Sequence, residues 1–179
     1  MSILFYEELK RMVEYGHIEG VDPANIGPSS IDLTLGSDVL VEDDARPTVV
    51  RLYEKEAPNM VQLRHDGVFQ IYPGGFALMK TQEIFHLPND IAGILRLKST
   101  PGRAGVDHAE TGWLDPGFHG APATLQIKNN TQYHVHEYKV GMPLIQAVFW
   151  RGAVVPHEVS YAVRGSYNKN LEVAQIGKQ

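Results

Sequence analysis

The sequence predicts an all-β domain opened by one short helix. Three observations carry that expectation. Helical periodicity is confined to the first sixteen residues; short β-leaning runs bounded by Gly, Pro, Asn and Asp follow at close intervals; and no internal repeat or low-complexity linker interrupts them. With 179 residues and 43% apolar side chains, the chain can build one domain with a real core.

In the helix, Phe5, Leu9, Met12 and Val13 fall at i, i+4, i+7 and i+8, with Glu7, Glu8, Lys10, Arg11 and Glu14 on the other side. Gly16 supplies a C-terminal stop, and no N-cap partner is evident. The predicted strands are residues 31–35, 48–52, 67–72, 76–80, 91–97, 123–128, 133–137 and 144–150. Their number and spacing point to a sandwich or barrel. Alternation is clearest in Val68-Phe69-Gln70-Ile71-Tyr72 and in Leu125-Gln126-Ile127-Lys128. The tail from residue 161 to 179 is polar and patternless, which predicts disorder or a flap that orders on ligand. The expected division is therefore a β domain over residues 1–160 and a flexible flap over 161–179.

Net charge is −5 and the basic residues are scattered, so no duplex nucleic-acid surface is expected. The absence of cysteine removes disulfides and every thiolate metal site. The opening residues lack the cationic start, long apolar stretch and cleavage site of a signal peptide, and no apolar run approaches membrane-spanning length. The expectation is a soluble, cytoplasmic protein with no membrane partner.

Four segments carry a resemblance, the last of them loosely. Pro28-Ser29-Ser30-Ile31-Asp32-Leu33-Thr34-Leu35-Gly36 is similar to a P-S-S-I-D-x-x-L-G motif, and Lys98-Ser99-Thr100-Pro101-Gly102-Arg103-Ala104-Gly105 to [R/K]-S-S-x-x-R-x-G. Gly112-Trp113-Leu114-Asp115-Pro116-Gly117-Phe118-His119-Gly120 is similar to a G-x-I-D-P-G-F-x-G hairpin, and Gly141-Met142-Pro143-Leu144-Ile145-Gln146 loosely follows P-G-M-x-I-x-Q. In this order and spacing they resemble the dCTP deaminase/dUTPase superfamily, on its deaminase-like branch, from the opening helix to about residue 150. The resemblance implies a dUTPase-like distorted β-barrel or jelly roll with a short N-terminal helix. It also implies a homotrimer whose sites are shared between subunits, and a pyrimidine deoxynucleoside triphosphate as ligand.

Read as residues, Lys98 to Arg103 suits phosphate. The hydroxyls of Ser99 and Thr100 can donate to phosphate oxygens, Gly102 lets the backbone come close, and Lys98 and Arg103 supply charge, Arg103 as a bidentate fork. The segment alone fits an ordinary turn with solvated charges equally well. The spacing is not that of a Walker A loop. Asp115 precedes a Pro-Gly turn that holds it rigidly. The resemblance assigns such a carboxylate to water activation at the α-phosphate in dUTPases and to the sugar 3′-hydroxyl in deaminases.

The pattern breaks at one place that matters. The deaminases carry their catalytic Glu in a T-L-E-L run after the hairpin, whereas this chain reads Thr124-Leu125-Gln126-Ile127 after an Ala121-Pro122-Ala123 stretch one residue longer than usual. An amide can bond a pyrimidine edge but cannot accept and return a proton near neutral pH. Gln126 therefore reads the base rather than transforming it. Glu110 and Thr111 precede Gly112 where relatives carry Thr-Ala, which places Glu110, Thr111, Gly112, Trp113, Asp115 and Gln126 around the base and sugar, with Glu110 a candidate substitute for the lost carboxylate. Gln146 is expected to support a phosphate or the flap. Tyr161, Arg164, Tyr167 and Lys169 faintly echo the family flap, with Tyr stacking on the base and Lys or Arg on the γ-phosphate.

Zinc nucleobase deaminases need a P-C-x-x-C element that this sequence lacks, so the expected metal is Mg²⁺ brought by the triphosphate, not zinc. His134 and His136 are expected on one strand face, and His108 and His119 flank the hairpin; all four are expected at the surface or a subunit interface. The leading expectation is hydrolysis of dUTP, dCTP or a modified pyrimidine triphosphate to monophosphate and pyrophosphate. The alternatives are a zinc-independent dCTP deaminase, and a nucleotide-responsive regulatory protein without chemistry.

Overall fold

The computed structural model describes residues 2–43, 47–109 and 112–175. Among them run twelve strands: β1 (Ser2–Ile3), β2 (Ile18–Glu19), β3 (Ile31–Glu42), β4 (Met60–Gln62), β5 (Val68–Ile71), β6 (Phe76–His86), β7 (Ile91–Leu97), β8 (Val106–His108), β9 (Trp113–Leu114), β10 (His119–Asn129), β11 (His136–Lys139) and β12 (Pro143–Arg151). Three helices join them: α1 (Tyr6–Glu14), α2 (Ser99–Arg103) and α3 (Tyr161–Arg164).

The main sheet has the order β8-β10-β6-β3-β12-β7-β9, with β1 added to β12, β2 to β6 and β4 to β3; β5 and β11 form a separate ribbon. Every pairing is antiparallel. The long strands change partners along their length, which curls the sheet into a half-barrel. The all-β expectation with one short opening helix is what the molecule adopts.

Alternate residues of β3, β6, β10 and β12 face inward and form one core with Phe85, Phe149, Ile31, Leu33, Met79 and Leu125 at its centre. Helix α1 closes one end with Leu9 and Met12, both buried. Its entry is tied by Tyr6 N–H donating to Pro28 O at 2.9 Å. Gly16, at φ 71°, turns the chain out of the helix as expected.

Two predicted strands are corrected. Residues 48–52 are not a strand: Val49 is 80% exposed, and β3 pairs instead with the short β4. Thr48, Val49 and Val50 favour strands but pair with no strand among the described residues, and pairing decides. The strand predicted at 133–137 begins at His136, with Tyr133 85% exposed, so His134 does not share a strand face with His136. His108 is likewise not at the surface but buried in β8. The segment from Ser99 to Arg103 is a short helix.

The sheet bends at one irregular place. Between β3 and β6 the register jumps from Leu35↔Thr81 to Val39↔Met79, and between β10 and β6 from Pro122↔Ile84 to Thr124↔Lys80. Residues 82 and 83 are thus out of both ladders and Thr81 out of the one with β10, and the side chains of Thr81 and Glu83 replace missing main-chain bonds. Glu83, fully buried, accepts from Thr34 N–H with both oxygens at 3.0 Å and from Thr34 Oγ1 at 2.7 Å. Thr81 Oγ1 accepts from Ala123 N–H at 3.0 Å and donates to Glu83 O at 2.9 Å.

The tail does not leave the domain. Tyr161 N–H donates to Pro116 O at 3.0 Å, and Lys169 N–H to His119 O at 3.0 Å. His119 N–H donates to Asn168 Oδ1 at 2.9 Å. Farther on, Lys80 Nζ donates to Leu171 O at 2.7 Å and Ala174 N–H to Thr124 Oγ1 at 3.1 Å, while Val173 packs on Leu40 and Leu78. His119 also stacks edge-on against His86, whose Nε2 lies 3.1 Å from Glu19 Oε1. Burial, reinforced by His86 and Lys169 and opposed by Glu19, holds the His119 imidazole below its usual range.

Two outcomes follow. Glu83→Ala leaves the Thr34 N–H without its acceptor, while the Thr34 hydroxyl can turn to Gln82 Oε1, 3.0 Å away; urea unfolding should record a loss of about 1–3 kcal/mol. Burial raises the Glu83 carboxyl above its ordinary 4.5, against the Thr34 bonds, so its contribution to stability is complete below 4.5 and is lost as pH rises through the folded value. The non-titrating Glu83→Gln should flatten that limb. His119 has the opposite sense: its depressed pKa gives stability present above 6.5 and lost as pH falls. The protection factor of the Lys169 amide, taken against the intrinsic exchange rate at each pH, should fall as pH drops through and below 6.5, and His119→Asn should remove that change.

Candidate functional site

The hairpin that follows β9 is held by close packing. Leu95 N–H donates to Gly112 O at 2.7 Å, and a Cβ on Gly112 would stand 2.5 Å from Leu95 Cβ. Gly117 has φ 88°, and its α-carbon faces Asn89 and the Ala162 amide so closely that a Cβ would lie 2.9 and 3.0 Å from them. Phe118 N–H closes the turn on Asp115 O at 3.0 Å. Leu114 and Phe118 are buried, and Trp113 and Asp115 face outward. The Trp113 indole stacks on Trp150 and donates from Nε1 to Asp115 Oδ1 at 2.9 Å. One carboxylate oxygen of Asp115 is thereby fixed and the other faces solvent.

A cavity of about 630 Å³ opens beside this hairpin. One wall is the outward face of β10 and β6, with Thr124 and Gln126 opposite Lys80 and Leu78. Trp113, Leu114 and Phe118 close a second side, and Tyr161 and Tyr167 of the tail a third. Its walls are mostly apolar, and its hydrogen-bonding side chains include Thr124, Gln126, Asn170, Glu172 and Gln175, with Trp113, Tyr161 and Tyr167 at its sides. Among the described residues no Lys or Arg lines it, and Glu172 is its one carboxylate. Burial raises the pKa of the Tyr161 hydroxyl; a backbone bond at Tyr167 opposes this, and the charges of Tyr167 and Asp115 add to it. Such a cavity suits a flat, uncharged, hydrogen-bonding ring rather than a polyanion.

The cationic segment lies elsewhere. Ser99, Thr100 and Arg103 are exposed on α2, and Lys98 forms a short ion pair with Asp32 Oδ2. Lys98 and Thr100 line a second cavity, of about 490 Å³, beneath β11. Its floor includes Tyr138, whose buried hydroxyl is pushed up to about 12. Gln146 stands on the outward face of β12, directly across from Asp32 on β3 and Arg96 on β7.

The two groups are therefore separated within one chain. β9 sets Leu114 opposite Gly93 on β7, which carries Asp115 toward Ala92, whereas Lys98 follows the other end of β7. At the strand rise of ~3.3 Å per residue these ends are far apart, on the order of 20 Å. Gly112, Trp113, Gln126, Tyr161 and Tyr167 come together, with Asp115 at their edge; Lys98, Ser99, Thr100, Arg103 and Gln146 do not join them.

Other expected positions divide in the same way. Arg164 turns its Nε to Glu158 O at 3.1 Å, and Lys169 sits beside Gly120 with φ 59°. Glu110 and Thr111, expected at the base and sugar, lie outside the described residues. Glu172 and Asn170 were not expected at the cavity, because the tail carries no periodic pattern. Asp32 lies in the first of the quoted motifs but was given no role there, and Arg96 was signalled only by the polar-apolar alternation of its strand.

The sequence model of the dCTP deaminase-like family matches residues 3–152. A dUMP-forming dCTP deaminase of Methanoregula boonei is 33% identical over 151 residues, which cover 83% of this chain and 81% of that protein. Another, of Corynebacterium kroppenstedtii, is 34% identical over 147 residues, 78% of each. The 2′-deoxycytidine 5′-triphosphate deaminase from Agrobacterium tumefaciens shares the fold at TM-score 0.66 and 22% identity over 87% of this chain, which spans half of that longer one. Fold, hairpin and sequence thus agree, and the chain belongs to the dCTP deaminase-like family.

Proposed function

We propose that this protein is an enzyme that processes a pyrimidine deoxynucleoside triphosphate, cutting it between the α- and β-phosphates to leave the monophosphate and pyrophosphate. The observation that carries the reading is the pairing of a neutral amide, Gln126, inside the apolar cavity with a fixed carboxylate, Asp115, at its edge. The relatives from Methanoregula boonei and Corynebacterium kroppenstedtii are named as dUMP-forming, which is a monophosphate product.

In this mechanism the base enters the cavity and stacks near Tyr161 or Tyr167, and Gln126 bonds its edge. Asp115 takes a proton from water as the water oxygen bonds to the α-phosphorus. The bridging bond to the β-phosphate breaks and pyrophosphate leaves. Ser99, Thr100, Arg103 and Lys98 hold the phosphates, with Gln146 in support. The substrate enters as its Mg²⁺ complex, in which phosphate and water oxygens supply most ligands.

The span of β7 between Asp115 and Lys98 is longer than a triphosphate chain. A complete site then joins the hairpin of one subunit to the α2 segment of its neighbour, consistent with a homotrimer, with residues 161–179 serving as the flap. The relatives named as dCTP deaminases favour a second reading, in which dCTP is also deaminated. With Gln126 in the place of a proton shuttle, that step needs another carboxylate, for which Glu110 is the candidate.

Asp115→Asn should lower pyrophosphate release at least a hundredfold while nucleotide affinity stays within a few-fold. The measurement is a single incubation with Mg²⁺ and dUTP or dCTP, following pyrophosphate and ammonia together. Full pyrophosphate release by the variant would remove Asp115 from the mechanism. Ammonia from dCTP would establish the second reading.

A further inference from the structure

Among the described residues, the tail brings one carboxylate to the base cavity. Leu125 and Ile127 of β10 point into the core, so Thr124 and Gln126 face outward, next to Lys80 and Leu78 of β6. The tail crosses this face on three anchors: Lys80 Nζ to Leu171 O, Val173 against Leu40 and Leu78, and Ala174 N–H to Thr124 Oγ1. Glu172 lies between the first and second of them, with its own N–H turned back to Asn170 Oδ1 at 3.1 Å. Glu172 lines the same cavity as Gln126.

The edges of the two natural pyrimidine rings differ in hydrogen-bonding sense. Cytosine presents an amino group with two N–H donors; uracil presents one N–H flanked by two carbonyl oxygens. Gln126 can match either edge by turning its amide, which has both donors and an acceptor. Thr124, Asn170 and Gln175 are equally ambivalent. A carboxylate is not: when ionised it only accepts. Against cytosine it takes the amino hydrogens, whereas a carboxylate that takes the uracil N–H also meets a carbonyl oxygen.

We propose that Glu172, delivered by the tail, is the specificity-determining residue that makes this cavity prefer a cytosine to a uracil ring. The proposal rests on the pyrimidine nucleotide binding proposed above and assigns the selection to a residue outside the family motifs. Gln126 contributes affinity without preference, and Glu172 contributes the preference. The same chain segment that closes the cavity therefore also reads its contents.

The test is calorimetric titration of the full-length protein, with Mg²⁺, using the non-hydrolysable α,β-imido analogues of dCTP and dUTP. Wild-type protein should bind the cytosine analogue at least tenfold more tightly. Glu172→Gln and Glu172→Ala should bring the two affinities within about twofold, chiefly by weakening the cytosine analogue. Gln126→Ala should weaken both alike. Equal affinities in the wild type, or a preference unchanged in both Glu172 variants, overturn the assignment. Binding of neither analogue by the wild type overturns the pyrimidine triphosphate reading itself, and this assignment with it.

Discussion

The curl of this protein depends on a carboxylate standing in for backbone. Where β6 leaves the ladder on both sides at once, the amide of Thr34 has no strand carbonyl to meet, and Glu83 meets it with two oxygens. A buried charge is costly, and it persists only where hydrogen bonds offset the lost water. Thr81 does the smaller version of the same task for the amide of Ala123. Together these two side chains let three residues bulge without orphaning donors, and a regular ladder would not bend there. Pro122, which has no N–H to donate, sits at the edge of the same irregularity.

The bend matters because of what it separates. One side of β6 and β10 packs into the core, and the other becomes the wall against which the tail lies. The hairpin after β9 is built on β7 by the contact of Gly112 with Leu95, so its carboxylate stands at one end of that strand. The cationic segment is the continuation of the other end. A mostly apolar cavity with hydrogen-bonding groups and a separate cluster of hydroxyls and cations are the two halves that the proposed nucleotide site would join. β7 is the rigid spacer between them.

Much of this was legible in the residues. The alternation at 68–72 and 125–128 marks β5 and part of β10, and the Asp-Pro-Gly turn marks the hairpin. The extra residue at Ala121-Pro122-Ala123 is visible in the sequence as a lengthening and in the fold as register shifts on either side of it. What failed was non-local. Residues 48–52 have strand composition but no partner, while β4, only three residues long, has weak composition and a partner in β3. β3 runs on through Gly36, a residue that reads as a terminator, because the Lys80 and Thr81 backbone passes so near that a Cβ would stand 3.1 to 3.2 Å away. The docking of the tail rests on Tyr161 against Phe118, on Val173 and on bonds between tail main chain and the domain, none of which leaves a periodic trace.

The distance along β7 has a genetic reading. Where a site takes its hairpin from one chain and its α2 segment from another, damage at the two ends of β7 falls in separate functional units. In the composite site proposed above, chains broken only at Asp115 and chains broken only at Arg103 would each be silent alone. Mixed in one cell, they meet at some interfaces where a sound hairpin faces a sound α2 segment. Two recessive alleles of this kind would complement one another, and two that damage the same end would not.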